Sequence, residues 1–375
     1  MKDQKRLFII TKESTGGINT FLNQMTLLDK KINIHFVFYK KSDSRYKQSI
    51  YLNKNYPSNN FFIKMIIFCK NIISTLRLLR KIKKNDRILT CDIYSLILVN
   101  LSLVLMTKKM KVFTLINTNL SQVINKKGFL INRILYLFIK ILLRKVYKVI
   151  FVSKRLAEDV IKKYSLNKKS TTVIYNGIDI KQAQIESKKM NKLIEKIKNI
   201  KDFKIIFCGR LEEPKDIKTI FLSLKEINLS NVRLLILGDG SKRKFYENMV
   251  DELNLSNQVI FLGNQNNIYP FLKTADIFVF SSYWEGFGRV IIEAMALGKP
   301  VISTNSPFGP SEILDNNKFG FLVGVKDYRR IAFYINGLIK NKKLLRLYQS
   351  LSTFRAKYFS IEKMLSSYES LFATN

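Results

Sequence analysis

Short, almost continuous apolar runs recur along this chain, each followed by a polar or glycine-bearing turn. After the turn, apolar residues return every three or four positions. The runs cover 5–10, 32–39, 87–91, 112–116 and 149–153, then 203–208, 232–237, 259–263, 277–280 and 301–303. Runs of this length, rich in Ile, Val and Phe, predict strands buried on both faces, and the three-to-four spacing predicts helices. Ile18, Phe21, Leu22, Met25 and Leu28 set helical spacing after the first run, as do Ile217, Ile220, Phe221 and Leu224 after 203–208. Further helices are expected over 61–84, 94–106, 130–147, 155–164 and 242–253, and from Lys326 to the C-terminus. Strand and helix alternating twice over predict an α/β chain of two Rossmann-like domains, with ligands at the C-terminal ends of both sheets. The charged stretch 181–199, free of Gly and Pro, marks the expected boundary. The division is therefore 1–180, 181–355, and a last segment, 356–375, able to cross back to the first domain.

Two stretches complicate this pattern. Ile88 to Met106 is apolar enough to mimic a membrane span, but Asp92 stands where a strand would end, so it reads as a buried strand and then a core helix. Residues 40–60 are polar and poorly patterned. The first residues lack the apolar core and cleavage site of a secretion signal.

Charge changes the picture more than length does. The chain carries 65 Lys and Arg against 28 Asp and Glu, a formal charge of +37, and the excess is uneven: 35 basic and 9 acidic residues in 1–180, 30 and 19 in 181–375. A Lys-, Ile- and Asn-rich composition accounts for the total as well as any function does, and for the asymmetry less well. A basic front half suits a polyanionic partner: nucleic acid, an anionic membrane surface or a phosphorylated substrate. The helix over 61–84 has basic residues at 64, 70, 77, 80, 81, 83 and 84. It reads first as a packing helix with a solvated basic end, and second as an interfacial helix on anionic lipid. The three cysteines (Cys69, Cys91, Cys208) have no metal-ligand spacing and suit a reducing cytoplasm, and the single histidine, His35, lies in an apolar run where a structural role is expected. One histidine excludes most His-dependent hydrolase and metalloenzyme schemes.

The candidate chemistry concentrates after Ile277-Phe278-Val279-Phe280. That run stops at Ser281-Ser282, a turn containing Gly286 and Gly288 follows, and a helix opens through Val290 to Ala294. Strand, glycine turn and helix N-terminus hold a phosphate on free amides and a positive dipole end. Glu285 and Glu293 bracket the turn with seven residues between them. Carboxylates repel phosphates, so these would serve hydroxyl groups, and a sugar nucleotide has hydroxyls on either side of its diphosphate. Earlier, Gly209-Arg210-Leu211 follows the 203–208 run and Lys215 follows shortly after; a guanidinium fork and an ammonium suit a diphosphate whose charge builds as a bond breaks.

These motifs resemble the E-x7-E signature and the G-R…K element of retaining family 4 glycosyltransferases with the GT-B fold, and the likeness runs in order along nearly the whole chain. The segment Val173-Ile174-Tyr175-Asn176-Gly177-Ile178-Asp179 resembles the family's interdomain segment, and 307–313 (PFGPSEI) resembles a variant found in enzymes of bacterial surface polysaccharides. The resemblance implies two Rossmann-like domains facing each other across a cleft. It assigns Arg210, Lys215 and Glu285 to catalysis, the cations at the leaving diphosphate and Glu285 on donor-sugar hydroxyls. Donor binding falls to Gly16, Gly17, Gly209, Gly263, Asn266, Gly286, Phe287, Gly288 and Glu293. Among these, Glu293 would hold the ribose, the loop 263–267 the base, and Gly16-Gly17 the diphosphate. The first-domain histidine of many relatives is missing here, and Asn117 or Asn119 is its candidate substitute. Arg289, where most relatives carry an aliphatic residue, reads either as a phosphate ligand or as a solvent-facing side chain. Glu312 reads as a cap or loop holder.

The expected reaction is retaining transfer of a hexose from a UDP-sugar or GDP-sugar to a glycan or lipid-linked acceptor, with no cofactor and no essential metal. An anionic membrane surface is the expected partner and the cytoplasmic side of the cell membrane the expected location. A GT-B epimerase or hydrolase and a nucleic-acid-binding protein are the rivals. The first lacks an acid–base set, and the second leaves the glycine turns and the Glu285/Glu293 pair unexplained.

Overall fold

A computed structural model describes residues 6–12, 16–29, 31–39, 49–52, 61–120 and 129–373. The chain divides into two compact units: Met1–Val152 with Leu156–Tyr175 and Leu365–Asn375, and Ser153–Arg155 with Asn176–Met364. It passes from the first to the second at Tyr175–Asn176. Two short helices, Ile180–Glu186 and Lys192–Lys198, fill most of the charged stretch after that point and lie within unit 2.

Among the described residues unit 1 has seven strands, β1 (Arg6–Thr11), β2 (Asn33–Phe38), β3 (Ser49–Tyr51), β4 (Arg87–Thr90), β5 (Lys111–Ile116), β6 (Lys148–Phe151) and β7 (Thr171–Val173), in the order β3-β2-β1-β4-β5-β6-β7. All pairings are parallel. The order reverses between β1 and β4, the place where an open α/β sheet leaves a crevice beyond its strand ends. Asp92 sits there. It caps the helix Ile93–Leu105 through Ser95 N (2.8 Å) and takes bonds from Thr11 Oγ1 (2.8 Å) and Lys12 N (2.7 Å), so the residue that interrupts the apolar run is a helix start. Among the described residues no helix is long and apolar enough to cross a membrane. His35 stacks on Phe8 (centroids 4.8 Å apart), and burial, with Arg6 nearby, lowers its pKa.

Right-handed crossovers send the helices of rightward-moving connections to one face of the sheet. Phe61–Lys81, Ile93–Leu105, Phe129–Lys145 and the body of Lys154–Tyr164 share that face, where Phe68 meets Tyr94 and Tyr136 stacks on Tyr164. The opposite face carries Gly16–Met25 and the end of the last helix, with Tyr368 against Phe21 and Phe372 against Phe113.

Unit 2 has six parallel strands, β8 (Phe203–Cys208), β9 (Val232–Leu237), β10 (Val259–Gly263), β11 (Ile277–Phe280), β12 (Val301–Thr304) and β13 (Phe321–Val323), in the order β10-β9-β8-β11-β12-β13. Ile205, Phe207, Leu234 and Ile302 from the sheet pack on Phe221 and Ile335 from the helices, all buried, which is why these strands read as unbroken apolar runs. The order reverses between β8 and β11. The chain thus brings the Gly209–Lys215 stretch and the 281–288 turn to one switch point.

Three details depart from the sequence pattern. The helix from Phe61 stops at Lys81 rather than residue 84. Strand β3 pairs with β2 inside the stretch read as unpatterned. The C-terminal stretch breaks into Tyr328–Lys340, Lys342–Ala356, a 3-10 turn Lys357–Phe359 and Ile361–Ala373.

Candidate active site

Unit 2 builds its site from three loops laid over one another at the C-terminal ends of β8, β9 and β10. Gly209 N donates to Leu237 O (3.0 Å), Leu211 N to Asp239 O (2.9 Å) and Gly238 N to Gly263 O (2.9 Å). Gly238 has φ +135°, and a Cβ there would lie 2.0 Å from Gly209 O; one at Gly240 would lie 2.5 Å from Leu211 O. The Gly238-Asp239-Gly240 turn is therefore a spacer that lets the Gly209–Leu211 backbone run close beside it.

The next loop carries the cations. Arg210 is exposed, its charge near Glu212. Glu212 takes Ser241 N (3.0 Å) and Ser241 Oγ (2.8 Å), which hold its carboxyl below the ordinary range. Lys215 ends a 3-10 turn, Glu213–Lys215, and its ammonium pairs with Glu285 Oε1 while lying 5.4 Å from the Phe280 ring centroid. Side-chain exposures of 20% and 17% make this a half-desolvated pair rather than a surface contact. The same Glu285 oxygen accepts from Ser282 Oγ (2.9 Å). Ser281 Oγ donates to Lys215 O (2.7 Å), Tyr283 N to Pro214 O (2.8 Å) and Thr304 Oγ1 to Ser282 O (2.7 Å). The Ser281 hydroxyl and the Tyr283 amide thus stitch the cation loop to the glycine turn, Ser282 braces Glu285 within the turn, and Thr304 ties the turn to β12.

Asp216, next to Lys215, is buried with φ +45° and accepts from Thr219 Oγ1 (2.5 Å), with the Tyr283 phenol facing it. Burial lifts its carboxyl above the usual carboxylate range. Burial and the neighbouring Asp216 carboxylate push the Tyr283 phenol up to about 12. Sequence reading missed Asp216 and Tyr283; the one available signal was an acidic residue immediately before a helix, the place of a cap.

The glycine turn itself is held from both sides. Ser153 Oγ donates to Gly286 O (3.1 Å), and Phe287 is buried against Phe359, centroids 5.6 Å apart. Gly309 (φ +93°) approaches so closely that a Cβ there would lie 1.9 Å from Phe287 O. Gly288 (φ +88°) leads into the helix Arg289–Ala296. Four residues into it stands Glu293, whose Oε1 lies 3.2 Å from Arg289 Nε, with side-chain exposures of 11% and 14%. Arg289 is thus not solvent-facing, and its Nε goes to the carboxylate that the resemblance assigns to the ribose. The i,i+4 spacing was the signal for this pair.

On the expected base loop, Gly263 has φ +64° and Asn266 is exposed. Gln265 donates to Leu262 O (2.7 Å), and Asn267 is fixed by bonds to Glu186 O (3.0 Å) and Glu186 Oε2 (2.9 Å) and from Tyr269 N (3.1 Å). Glu312 accepts from the amides of Lys154 (2.8 Å) and Arg155 (2.9 Å), which makes it a holder of backbone. Gly16 and Gly17 open a helix in unit 1; Gly17 is exposed, and a Cβ there would meet nothing within 4 Å. Asn117 is half-buried and Asn119 buried. Among the described residues no three His, Cys, Asp or Glu side chains come together as a metal site.

Two parallel α/β units, one with a paired Lys215/Glu285 and a glycine turn at its switch point, define the GT-B class of nucleotide-sugar architecture. Residues 16–182 match the Glycosyltransferase Family 4 domain and residues 189–352 the Glycosyl transferases group 1 domain. The chain belongs to the glycosyltransferases that join these two domains. It is 29% identical over 240 residues to the Campylobacter jejuni N-acetylgalactosamine-N,N'-diacetylbacillosaminyl-diphospho-undecaprenol 4-alpha-N-acetylgalactosaminyltransferase, covering 64% of this chain and 63% of that enzyme. With the Staphylococcus aureus capsular polysaccharide biosynthesis glycosyltransferase CapM it shares 31% over 222 residues, 56% of this chain and 57% of CapM. The match thus spans less than two thirds of either relative. Anabaena HepE, solved in complex with UDP, superposes with a TM-score of 0.79 at 17% identity over 98% of this chain and 99% of that one. The lipopolysaccharide glycosyltransferase WaaG gives 0.76 at 14% identity, over 98% and 100%.

Proposed function

We propose that the protein is a retaining glycosyltransferase of bacterial surface-polysaccharide synthesis, moving a hexose from a nucleoside-diphosphate sugar, UDP favoured, to a hydroxyl of a glycan or lipid-linked acceptor. The observation that carries this is the Lys215–Glu285 pair beside the glycine turn: a cation for phosphate and a carboxylate for sugar hydroxyls, held side by side at the switch point. Relatives named for capsule and lipopolysaccharide synthesis support the acceptor class, and the UDP-bound HepE supports the nucleotide.

In the reaction the bond between the anomeric carbon and the diphosphate oxygen breaks. The acceptor oxygen bonds to that carbon on the same face, and its proton passes to the departing phosphate oxygen. Arg210, Lys215 and the amides of the glycine turn take the charge that builds on the diphosphate, so no metal ion is essential. Glu285 orients the sugar through its hydroxyls, and Glu293 the ribose.

A specific surface favours membrane docking as part of this function. The helices Phe61–Lys81, Ile93–Leu105 and Phe129–Lys145 carry nine Lys and Arg and no Asp or Glu. On the last of them Ile131, Ile134, Leu137 and Ile141 each expose half or more of their surface. Apolar side chains flanked by positive charge suit the anionic headgroup region of a bilayer. We place the enzyme there, peripheral on the cytoplasmic leaflet, where a lipid-linked acceptor is presented.

The test is a thermal-shift titration with UDP, GDP and ADP, in EDTA, on the wild type and Lys215→Ala. One nucleotide raises the melting temperature of the wild type with concentration and not that of the variant. No shift with any of the three overturns the reading.

A further inference from the structure

In unit 2, among the described residues, three buried side-chain polar atoms have no hydrogen-bond partner: Arg289 Nη1, Ser306 Oγ and Ser311 Oγ. Native proteins leave few such groups, because an unpaired buried donor forfeits its bond to water. The three are not scattered. Arg289 opens the helix after β11, while Ser306 and Ser311 stand on the loop and short helix after β12, the strand paired with β11 in parallel. The two segments touch, since Gly309 backs directly onto the carbonyl of Phe287. Ser306 and Ser311 are 0% and 2% exposed.

The chemistry of this set is one-sided. A guanidinium N–H and two hydroxyls are all able to donate, and the nearby carboxylate, Glu293, is already held by Arg289 Nε. That ion pair also offsets the repulsion Glu293 would exert on an incoming anion. The missing partner is an oxygen-rich acceptor of negative charge.

We propose that Arg289, Ser306 and Ser311 are further donor-binding residues, supplying hydrogen bonds to the diphosphate of the nucleotide sugar alongside the glycine turn. The inference rests on the function proposed above. Arg289 then has two tasks: Nε steadies Glu293 for the ribose, and Nη1 reaches a phosphate oxygen.

Titration calorimetry with UDP and with uridine, on the wild type, Ser306→Ala, Ser311→Ala and Arg289→Met, tests it, together with melting temperatures of the ligand-free proteins. Truncating an unpartnered buried hydroxyl leaves the ligand-free melting temperature unchanged or raised. Each serine variant nevertheless binds UDP several-fold more weakly. Arg289→Met weakens UDP by about 10- to 100-fold, the range of a charge-assisted bond, and uridine far less. Serine variants that melt lower and bind UDP normally would show a purely structural role and overturn the proposal. Equal loss of UDP and uridine in Arg289→Met overturns the phosphate contact. A wild type that binds no nucleoside diphosphate removes the underlying function instead, a result separable from unaffected variants of a binding wild type.

Discussion

Lys215 and Glu285, seventy residues apart in sequence, form an ion pair in which one carboxylate oxygen also accepts from Ser282. The other Glu285 oxygen makes no hydrogen bond among the described residues. The pair therefore holds the ammonium at the edge of the glycine turn and leaves the carboxylate one free acceptor. Lys215→Ala and Glu285→Gln should each lower kcat/KM by at least about 100-fold, the usual cost of removing one preorganised electrostatic group. Their ligand responses should differ. Lys215→Ala loses stabilisation by UDP, whereas Glu285→Gln retains it, because Glu285 serves the sugar and not the phosphate. Nucleotide release assays and melting curves on the two variants check this, and a Glu285→Gln that no longer responds to UDP would sink the division of labour.

Gly309 is a glycine forced by packing, and Gly17 one left open. Gly309→Ala would place a Cβ 1.9 Å from Phe287 O at φ +93°, so the loop must move and the glycine turn with it. A loss of about 3 kcal/mol or more is expected, in the range of strain combined with overpacking. Gly17→Ala meets nothing within 4 Å. It lies in the first turn of a helix, where alanine stabilises by up to about 1 kcal/mol. Donor binding is what Gly17→Ala should lose, if its bare backbone is there for a ligand. Urea unfolding and UDP-sugar KM on both variants separate the two cases.

The parts of this fold that were legible in sequence are those buried on both faces. Strands β8, β9, β11 and β12 read as unbroken apolar runs because helices cover both sides of their sheet, and Asp92 read correctly as a break. The short strands β3 and β7 did not, because each has three residues, all half-buried, and no periodicity survives at that length. In the site, glycines and charged residues close in sequence were readable from spacing alone. Partners far apart were not: Glu312 with the amides of Lys154 and Arg155, and Ser281 with Lys215, are joined only by the fold. Arg289 lies between these cases. Its position four residues before Glu293 announced an ion pair, but the catalytic setting drew attention to phosphate or solvent instead.

The basic apolar face of unit 1 makes a prediction about membranes. Ile134→Asp with Ile141→Asp replaces two of the exposed apolar side chains on the stripe of Phe129–Lys145 with negative charges, without touching the buried Ile139, Leu142 or Leu143. Flotation of the wild type with vesicles of anionic phospholipid, and not with zwitterionic ones, is expected at moderate salt. The double variant should stay in the bottom fraction while keeping its response to UDP. Equal flotation of the two proteins would assign the docking surface elsewhere.

Lys299 gives the sharpest dependence on pH. Its side chain is buried, donates to Ala275 O (2.6 Å) and Lys273 O (3.0 Å), and has its pKa lowered to about 8. Desolvation is the main cause; the Lys273 and Lys204 charges push the same way and Asp276 opposes. In the unfolded chain the ammonium titrates near 10.5, its ordinary value. Below pH 8 both states carry the proton and the full cost of burying the charge is present. Between pH 8 and 10.5 the folded protein releases it first, so the unfolded state binds more protons and stability rises with pH. The whole gain is on the order of 3–4 kcal/mol, at about 1.4 kcal/mol per pKa unit over the fall from 10.5 to about 8. Tyrosines with raised pKa values act oppositely above pH 10, but they are common to wild type and variant and cancel in the difference. Urea unfolding of the wild type and Lys299→Met from pH 7.5 to 10 should therefore show the two stabilities diverging in favour of the wild type as pH rises. Parallel curves across that range would mean that the two carbonyls stabilise the ammonium enough to keep its pKa near that of a free lysine.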